Sequence, residues 1–293
     1  MTTETRWPGE ADIERRLLAR RPDPGLDGIF GALQHAELRE LARSARRRRG
    51  GPRVLVLPGI MGSTLGVRRA GGDDLKWFDP VEIALGGLTR LALPSSRRIE
   101  PLGAMLFAYL RLKLSLRTAG FDADFHPYDW RHTVHDAGRT LAGRLAAERA
   151  KRVLLVAHSM GGLVARAALG HPGSERIERV VQLGTPNGGA FGAVKALRGT
   201  YPLVRRLALL DLRHDARELA RRVFCTLPGL AELLPDAAAC EDFDPFRAGD
   251  WPKGPRPAAA LLGAARDARQ GLAAPDGRFV LVAGSGRETL TGL

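Results

Sequence analysis

Four short, nearly continuous apolar runs punctuate this chain: Val54-Leu-Val-Leu57, Val153-Leu-Leu-Val-Ala157, Val180-Val-Gln-Leu183 and Phe279-Val-Leu-Val-Ala283. Runs of this length without polar alternation suit strands buried on both faces of a parallel sheet. Residues Phe121 to Phe125 form a weaker fifth. Between them, Met105, Leu106, Tyr109, Leu112 and Leu116 keep helical spacing, as do Val134, Ala137, Leu141 and Leu145. The second of these helices is preceded by Thr133, with Asp136 three residues on, the spacing of a capping box. Strands alternating with helices require right-handed crossovers, which predict an α/β fold: a mostly parallel sheet with helices on both faces. No internal repeat is present.

Two stretches break the alternation. Residues 63 to 103 carry Gly71-Gly-Asp-Asp, Trp77-Phe78 and Gly86-Gly87, and residues 187 to 275 hold several proline-bounded helical pieces; both read as excursions from the sheet. Residues 1 to 50 read as an arginine-rich extension packed outside the core. It has helical stretches around Ile13, Leu17 and Leu18 and around Leu33, Ala36 and Leu41, with RPDPGLDG as the separator. The core is then expected over residues 51 to 293.

The formal charge is +13 from 45 basic and 32 acidic residues, and only five of the basic ones are lysines. Genomic base composition or attraction to anionic lipid or nucleic acid would each explain the arginine excess. No zinc-finger spacing or aromatic RNA-binding box accompanies it, so no nucleic-acid partner is expected. The dense cluster Arg46 to Arg49 reads as a solvated linker. No apolar run approaches the ~20 residues of a membrane span, and the amino terminus lacks the apolar core of a signal peptide. A cytoplasmic chain is expected, with Cys225 and Cys240 as free thiols and no metal-ligand spacing.

The sharpest chemical signal is Ala157-His-Ser-Met-Gly-Gly162, which joins the strand run at Val153 to the helical stretch Leu163 to Leu169. A serine on a tight strand-to-helix turn, with small residues two before and two after, is the pattern of a nucleophile elbow. Ser159 is the expected nucleophile, with Ala157 and Gly161 as the small flanking residues. An oxyanion needs two backbone N–H donors. Met160 follows the nucleophile, and Ile60 lies in Pro58-Gly-Ile-Met-Gly-Ser63 after the first strand, where two glycines permit the turn.

Pro58-Gly-Ile-Met-Gly-Ser63, Tyr128-Asp-Trp-Arg131, Ala157-His-Ser-Met-Gly-Gly162 and Leu183-Gly-Thr-Pro-Asn-Gly-Gly189 occur in that order. Together they resemble the lecithin:cholesterol acyltransferase-like branch of the α/β-hydrolase lipases. The resemblance implies a serine acyl hydrolase or acyltransferase of lipid metabolism, acting on lipid or other carboxylic esters through an acyl-serine intermediate, without metal or organic cofactor. It also implies a lid over residues 63 to 103 and a cap over 187 to 275. On that lid, Trp77 and Phe78 either touch lipid or pack the lid onto the core. An anionic membrane surface is an expected partner.

The pattern is incomplete. In this family the acid follows the strand equivalent to Phe279–Ala283, the histidine follows one strand later, and neither motif is found before Leu293. No substitute stands out: Asn187 is not a carboxylate, Asp129 and Arg131 read as a structural pair, and His158 points away from its neighbour at an elbow. His214, in the cap, reads as a solvated or capping histidine. Two readings stay open: a hydrolase fragment lacking its last strand, acid and histidine, or an inactive lipid-binding or scaffold protein with a vestigial pocket. An uncovered apolar final strand and an intact serine turn favour the first.

Overall fold

The computed structural model describes residues 8–48, 50–69, 72–95, 98–286 and 288–290. Arg49 of the arginine cluster, Gly71 of the Gly71-Gly-Asp-Asp run and the terminal Leu293 lie outside the described residues.

All five expected strands form, and they pair in parallel into one sheet. In chain order the strands are β1 (Arg53–Leu57), β2 (Ser63–Val67), β3 (Asp74–Trp77), β4 (Glu100–Ala104), β5 (Asp122–Phe125), β6 (Val153–His158), β7 (Ile177–Leu183) and β8 (Phe279–Val282). The parallel sheet runs β5-β1-β6-β7-β8. The helices are α1 (Glu10–Leu18), α2 (Pro24–Phe30), α3 (Ala32–Arg47), α4 (Pro80–Ala84), α5 (Leu106–Thr118), α6 (Val134–Ala147), α7 (Met160–Ala168), α8 (Phe191–Leu197), α9 (Pro202–Leu210), α10 (Ala216–Arg222), α11 (Pro228–Ala231) and α12 (Ala259–Gln270).

Strand β1 shows why its sequence has no polar alternation. Val54 and Val56 pack with Tyr109 of α5, while Leu55 and Leu57 join the cluster of Leu141 and Leu163 from α6 and α7. Both faces are therefore covered, and both must be apolar. After β1 the chain leaves toward β5 on one side; after β6 it leaves toward β7 on the other. Adjacent strands whose connections diverge open a crevice at their carboxyl ends, where open α/β sheets bind ligands. The loops that follow β1 and β6 are the two glycine-rich motifs.

Residues 63 to 103 hold more strand than an excursion from the sheet suggests. Strands β3-β2-β4 make a second, antiparallel sheet, with Ser63 opposite Ala104 and Leu65 opposite Trp77. Trp77 is buried edge-on against Trp130, their ring centroids 5.4 Å apart, and donates its indole N–H to the Met61 carbonyl at 2.9 Å. Packing onto the core, not lipid contact, is thus the role of Trp77.

The extension forms its own apolar cluster, in which Ile13, Leu17, Leu26 and Leu38 meet Leu110 and Leu114 of α5. Buried Lys113 of α5 fastens it through Glu10 and Glu14, and also pairs with Asp124 of β5. Three expectations here need correction. The separator RPDPGLDG contains α2, because Asp23 caps Gly25 at 2.9 Å and Pro24 opens the first turn. Leu33 is exposed, and α3 instead turns Leu38, Ala42 and Ala45 inward. Arg46 and Arg47 belong to the last turn of α3, not to a linker, and there they complement the helix dipole.

At α6, Thr133 caps the Asp136 amide as expected, at 3.0 Å. The Asp136 carboxylate takes the Thr133 hydroxyl proton at 2.7 Å rather than reaching back to the Thr133 amide. Cys225 and Cys240 are free, and burial pushes the Cys225 thiol up to about 12. No helix among the described residues is long and apolar enough to cross a membrane.

Candidate functional site

Ser159 is the hinge between β6 and α7, with φ 52° and ψ −124°. That conformation is costly for a residue with a Cβ and persists only where its surroundings hold it. Here the Ser159 amide donates to the Leu183 carbonyl at 2.9 Å, continuing the β6–β7 ladder, and the Ser159 carbonyl accepts from Gly162 at 3.0 Å. Helix α7 starts within contact of β1: a Cβ on Gly161 would lie 2.7 Å from the Pro58 oxygen and 2.8 Å from that of Leu57. Ala157 is fully buried two residues before the serine.

The loop after β1 is a tight turn closed by the Gly62 amide on the Gly59 carbonyl at 2.9 Å. Met61 takes φ 60° at its third position, where type II turns favour glycine. Gly59 is the point of closest approach: a Cβ there would sit 3.0 Å from Ser159 Cβ and 2.9 Å from His158 Nδ1. The structure therefore brings the turn carrying Ile60 against the turn carrying Ser159 and Met160. Neither the Ile60 nor the Met160 amide donates to any protein group among the described residues.

Two tyrosines hold this turn, and only one was marked by a motif. Tyr128, fully buried, donates its hydroxyl to the Pro58 carbonyl at 2.7 Å, while its amide donates to Ser63 Oγ at 3.1 Å. Trp130 donates its indole N–H to the Ser63 carbonyl at 3.1 Å. The Tyr128-Asp-Trp-Arg131 motif is thus the brace of the Pro58–Ser63 motif. Arg131 pairs with both Asp129 oxygens, at 2.9 and 2.6 Å, and reaches the Leu91 and Ile99 carbonyls. Sequence reasoning missed Tyr109 of α5. Its hydroxyl accepts the Gly59 amide at 2.9 Å and lies 2.9 Å from His158 Nδ1. With Nδ1 accepting the hydroxyl proton, the ring proton of His158 sits on Nε2, and partial burial pushes its pKa down.

The segment after β7 closes over the same end. The Gly229 amide donates to the Arg131 carbonyl at 3.1 Å, and a Cβ on Gly229 would meet Met160 Cε at 2.8 Å. Asn187 is bound on both sides of its amide, by Arg166 and by Gln182, each at 3.0 Å.

No histidine hydrogen-bonds to Ser159 among the described residues. His158 faces Tyr109, His132 lies 3.7 Å from Asp129, His135 meets the Ala268 carbonyl at 2.8 Å, and His214 pairs with Asp211 at 3.1 Å. His126 is buried beside Arg144, which with desolvation holds it neutral, down to about 3. His35 pairs with Asp27 in the extension. Among the described residues no group of three or more His, Cys, Asp or Glu is placed to hold a metal ion.

Residues 48–193, just under half of the chain, match the family model described as a PGAP1-like alpha/beta domain. This stretch takes in the sheet from β1 to β7, both glycine-rich turns and the Tyr128-Asp-Trp-Arg131 brace. Solved structures align with this chain at low identity. The Tle4-Tli4 complex aligns at 20% identity and TM-score 0.38, covering 65% of this chain and 56% of that one. The Bacillus licheniformis lipase BlEst2 in its mature form aligns at 18% identity and TM-score 0.36, covering 75% of this chain and 60% of that one. This chain therefore spans less than two thirds of either structure. No curated protein matches.

Proposed function

We propose that this chain is the catalytic half-site of a lipase-type serine acyl hydrolase. Ser159 Oγ attacks the ester carbonyl, and the oxyanion that forms is received by the Ile60 and Met160 amides. The observation that carries this reading is the strained Ser159 turn pressed against the Gly59 turn, with two amides left unbonded. A fold has no use for a strained serine beside unbonded amides unless something is bound there. Attack breaks the Oγ–H bond and forms the Oγ–acyl bond; the acyl–alkoxide bond of the ester breaks, and the departing alkoxide takes up the proton given up by Oγ and leaves as the alcohol. Water or a second alcohol later takes the acyl group and returns a proton to Oγ. Water makes the reaction hydrolysis and an alcohol makes it acyl transfer.

The resemblance to lecithin:cholesterol acyltransferase-like lipases supports lipid or other carboxylic esters as substrates, supplied from an anionic membrane surface. In this reading residues 63 to 103 and 187 to 275 flank the entrance as lid and cap. A second reading is favoured by the want of an imidazole at Ser159 among the described residues: a pocket that binds lipid esters without cleaving them.

The test is a fluorophosphonate probe with the modified residue mapped by mass spectrometry, alongside p-nitrophenyl ester turnover. Labelling at Ser159 that Ser159→Ala abolishes, with turnover lost in step, supports the hydrolase. Full turnover by Ser159→Ala sinks it. Ester binding with neither labelling nor turnover supports the second reading.

A further inference from the structure

We propose that the outward faces of α4 and α9 together form a docking surface for an anionic phospholipid bilayer. Helix α9 is seated by Val204 and Leu207, which are buried, yet the rest of its surface is not polar. Leu203, Leu209 and Leu210 face solvent, and Leu212 just beyond the helix joins them; Leu209 and Leu212 are 83% and 82% exposed. Helix α4 lies alongside, the Leu212 amide donating to the Ala84 carbonyl at 3.2 Å. Its Val81, and Leu85 just beyond its last residue, are 63% and 59% exposed. Six large aliphatic side chains thus crowd one area, where single exposed leucines would call for no explanation.

Charge selects the occupant. From 201 to 222 the chain carries six arginines against three carboxylates, and one of those, Asp211, is buried against His214. Arg205, Arg206, Arg213 and Arg217 are exposed and make no ion pair among the described residues. Arg205 and Arg206 stand on the same outward face as Leu209, so aliphatic side chains can enter the acyl boundary while guanidinium groups stay at the phosphates. Each such arginine adds attraction to an anionic leaflet that fades within a Debye length. The surface belongs to the two segments that flank the entrance in the proposed function. The inference rests on that reading only in taking the substrate to be a lipid, because docking needs nothing from Ser159.

Vesicle flotation tests it, using phosphatidylcholine alone and phosphatidylcholine with one quarter phosphatidylglycerol. The protein is expected to float with the anionic vesicles at least tenfold better than with the neutral ones, and to lose that preference in 0.5 M salt. The double variants Leu209→Ser with Leu212→Ser, and Arg205→Glu with Arg206→Glu, should each cut anionic flotation at least tenfold with unchanged far-ultraviolet circular dichroism. Ser159→Ala should float as the parent does, so loss of chemistry and loss of docking are read separately. Absence of flotation, or undiminished flotation of the leucine variant, overturns the proposal. So does a dimer in light scattering that the leucine variant converts to monomer, since the occupant is then a second copy.

Discussion

The Tyr128 hydroxyl donates to the Pro58 carbonyl at 2.7 Å in a site closed to solvent. The bond runs from the loop after β5 to the loop after β1, so two motifs 70 residues apart hold one another in place. Burial pushes the Tyr128 phenol well above its usual range, so it stays a donor at every working pH. Tyr128→Phe strands a buried carbonyl, a loss of about 1–3 kcal/mol. Denaturant titration should show a lower midpoint with an unchanged slope; a stability equal to the parent's would mean that Pro58 is held by other contacts.

The neighbouring glycines at 161 and 162 are intolerant for different reasons. A Cβ at 161 meets backbone oxygens of Leu57 and Pro58, while one at 162 comes within 2.0 Å of Thr185 Oγ1. Backbone cannot step aside, but a side chain can be removed. Both Gly161→Ala and Gly162→Ala should lose roughly 1–3 kcal/mol. Only the second should be rescued by adding Thr185→Gly, which removes Oγ1, Cγ2 and the Cβ that would lie 2.8 Å away, as a double-mutant cycle on thermal midpoints will report.

What could be foreseen from the residues follows from how locally each feature is encoded. Buried parallel strands advertise themselves, since both faces of β1 and β6 must be apolar. The serine turn was visible because its strand, its small residues and its helix are contiguous. The antiparallel sheet was hidden because β2, β3 and β4 are short and hold glycine, proline or charge, as in Glu100-Pro-Leu-Gly-Ala104. Helix α2 was masked by its own punctuation: Pro24 and Gly25 look like a break, yet Asp23 makes them a first turn. No local pattern could mark Tyr109, whose bond to Gly59 spans 50 residues, or the positive φ of Met61, a residue type that gives no warning of it.

The strain at Ser159 is itself measurable. At φ 52° and ψ −124° a glycine is unstrained, so Ser159→Gly should gain about 1–3 kcal/mol of relieved strain, less roughly 0.5–1 kcal/mol for the freer unfolded chain. A net gain near 1 kcal/mol is expected in denaturant melts. Ser159→Ala keeps the Cβ and should match the parent within about 0.5 kcal/mol. If glycine proves no more stable than alanine, the turn is not strained.

Lys113 offers a test of how the extension is held. Its ammonium is buried, with Glu10, Glu14 and Asp124 around it and Arg117 sharing Glu14 at 3.0 Å. Lys113→Met fills the space but leaves three carboxylates facing an apolar chain, which repel one another. Limited proteolysis between α1 and α2 should then quicken severalfold, while the parallel sheet keeps its protection in hydrogen exchange. Equal cleavage rates would show that the apolar cluster of Ile13, Leu17 and Leu38 holds the extension without the charges.

Glu232 should give the protein a pH dependence opposite to ordinary acid denaturation. Its side chain is buried and accepts the Val134 amide at the start of α6, at 2.7 Å. That bond and Arg269 favour the carboxylate, but desolvation outweighs them and, helped by Asp136, lifts the group to about 7. Between the unperturbed value near 4.5 and 7, the folded state holds a proton that the unfolded state has released. The stabilisation is therefore complete below pH 4.5 and is lost as pH rises through 7, by roughly 3 kcal/mol. His126, held down to about 3, acts in the other sense, since its contribution stands above 6.5 and falls away on acidification. Comparison with Glu232→Gln, which keeps an oxygen for Val134 but cannot ionise, cancels every group except Glu232. The parent should match or exceed the variant at pH 4.5 and fall behind it by pH 7.5; a difference that stays constant across that range would mean Glu232 ionises normally where it lies.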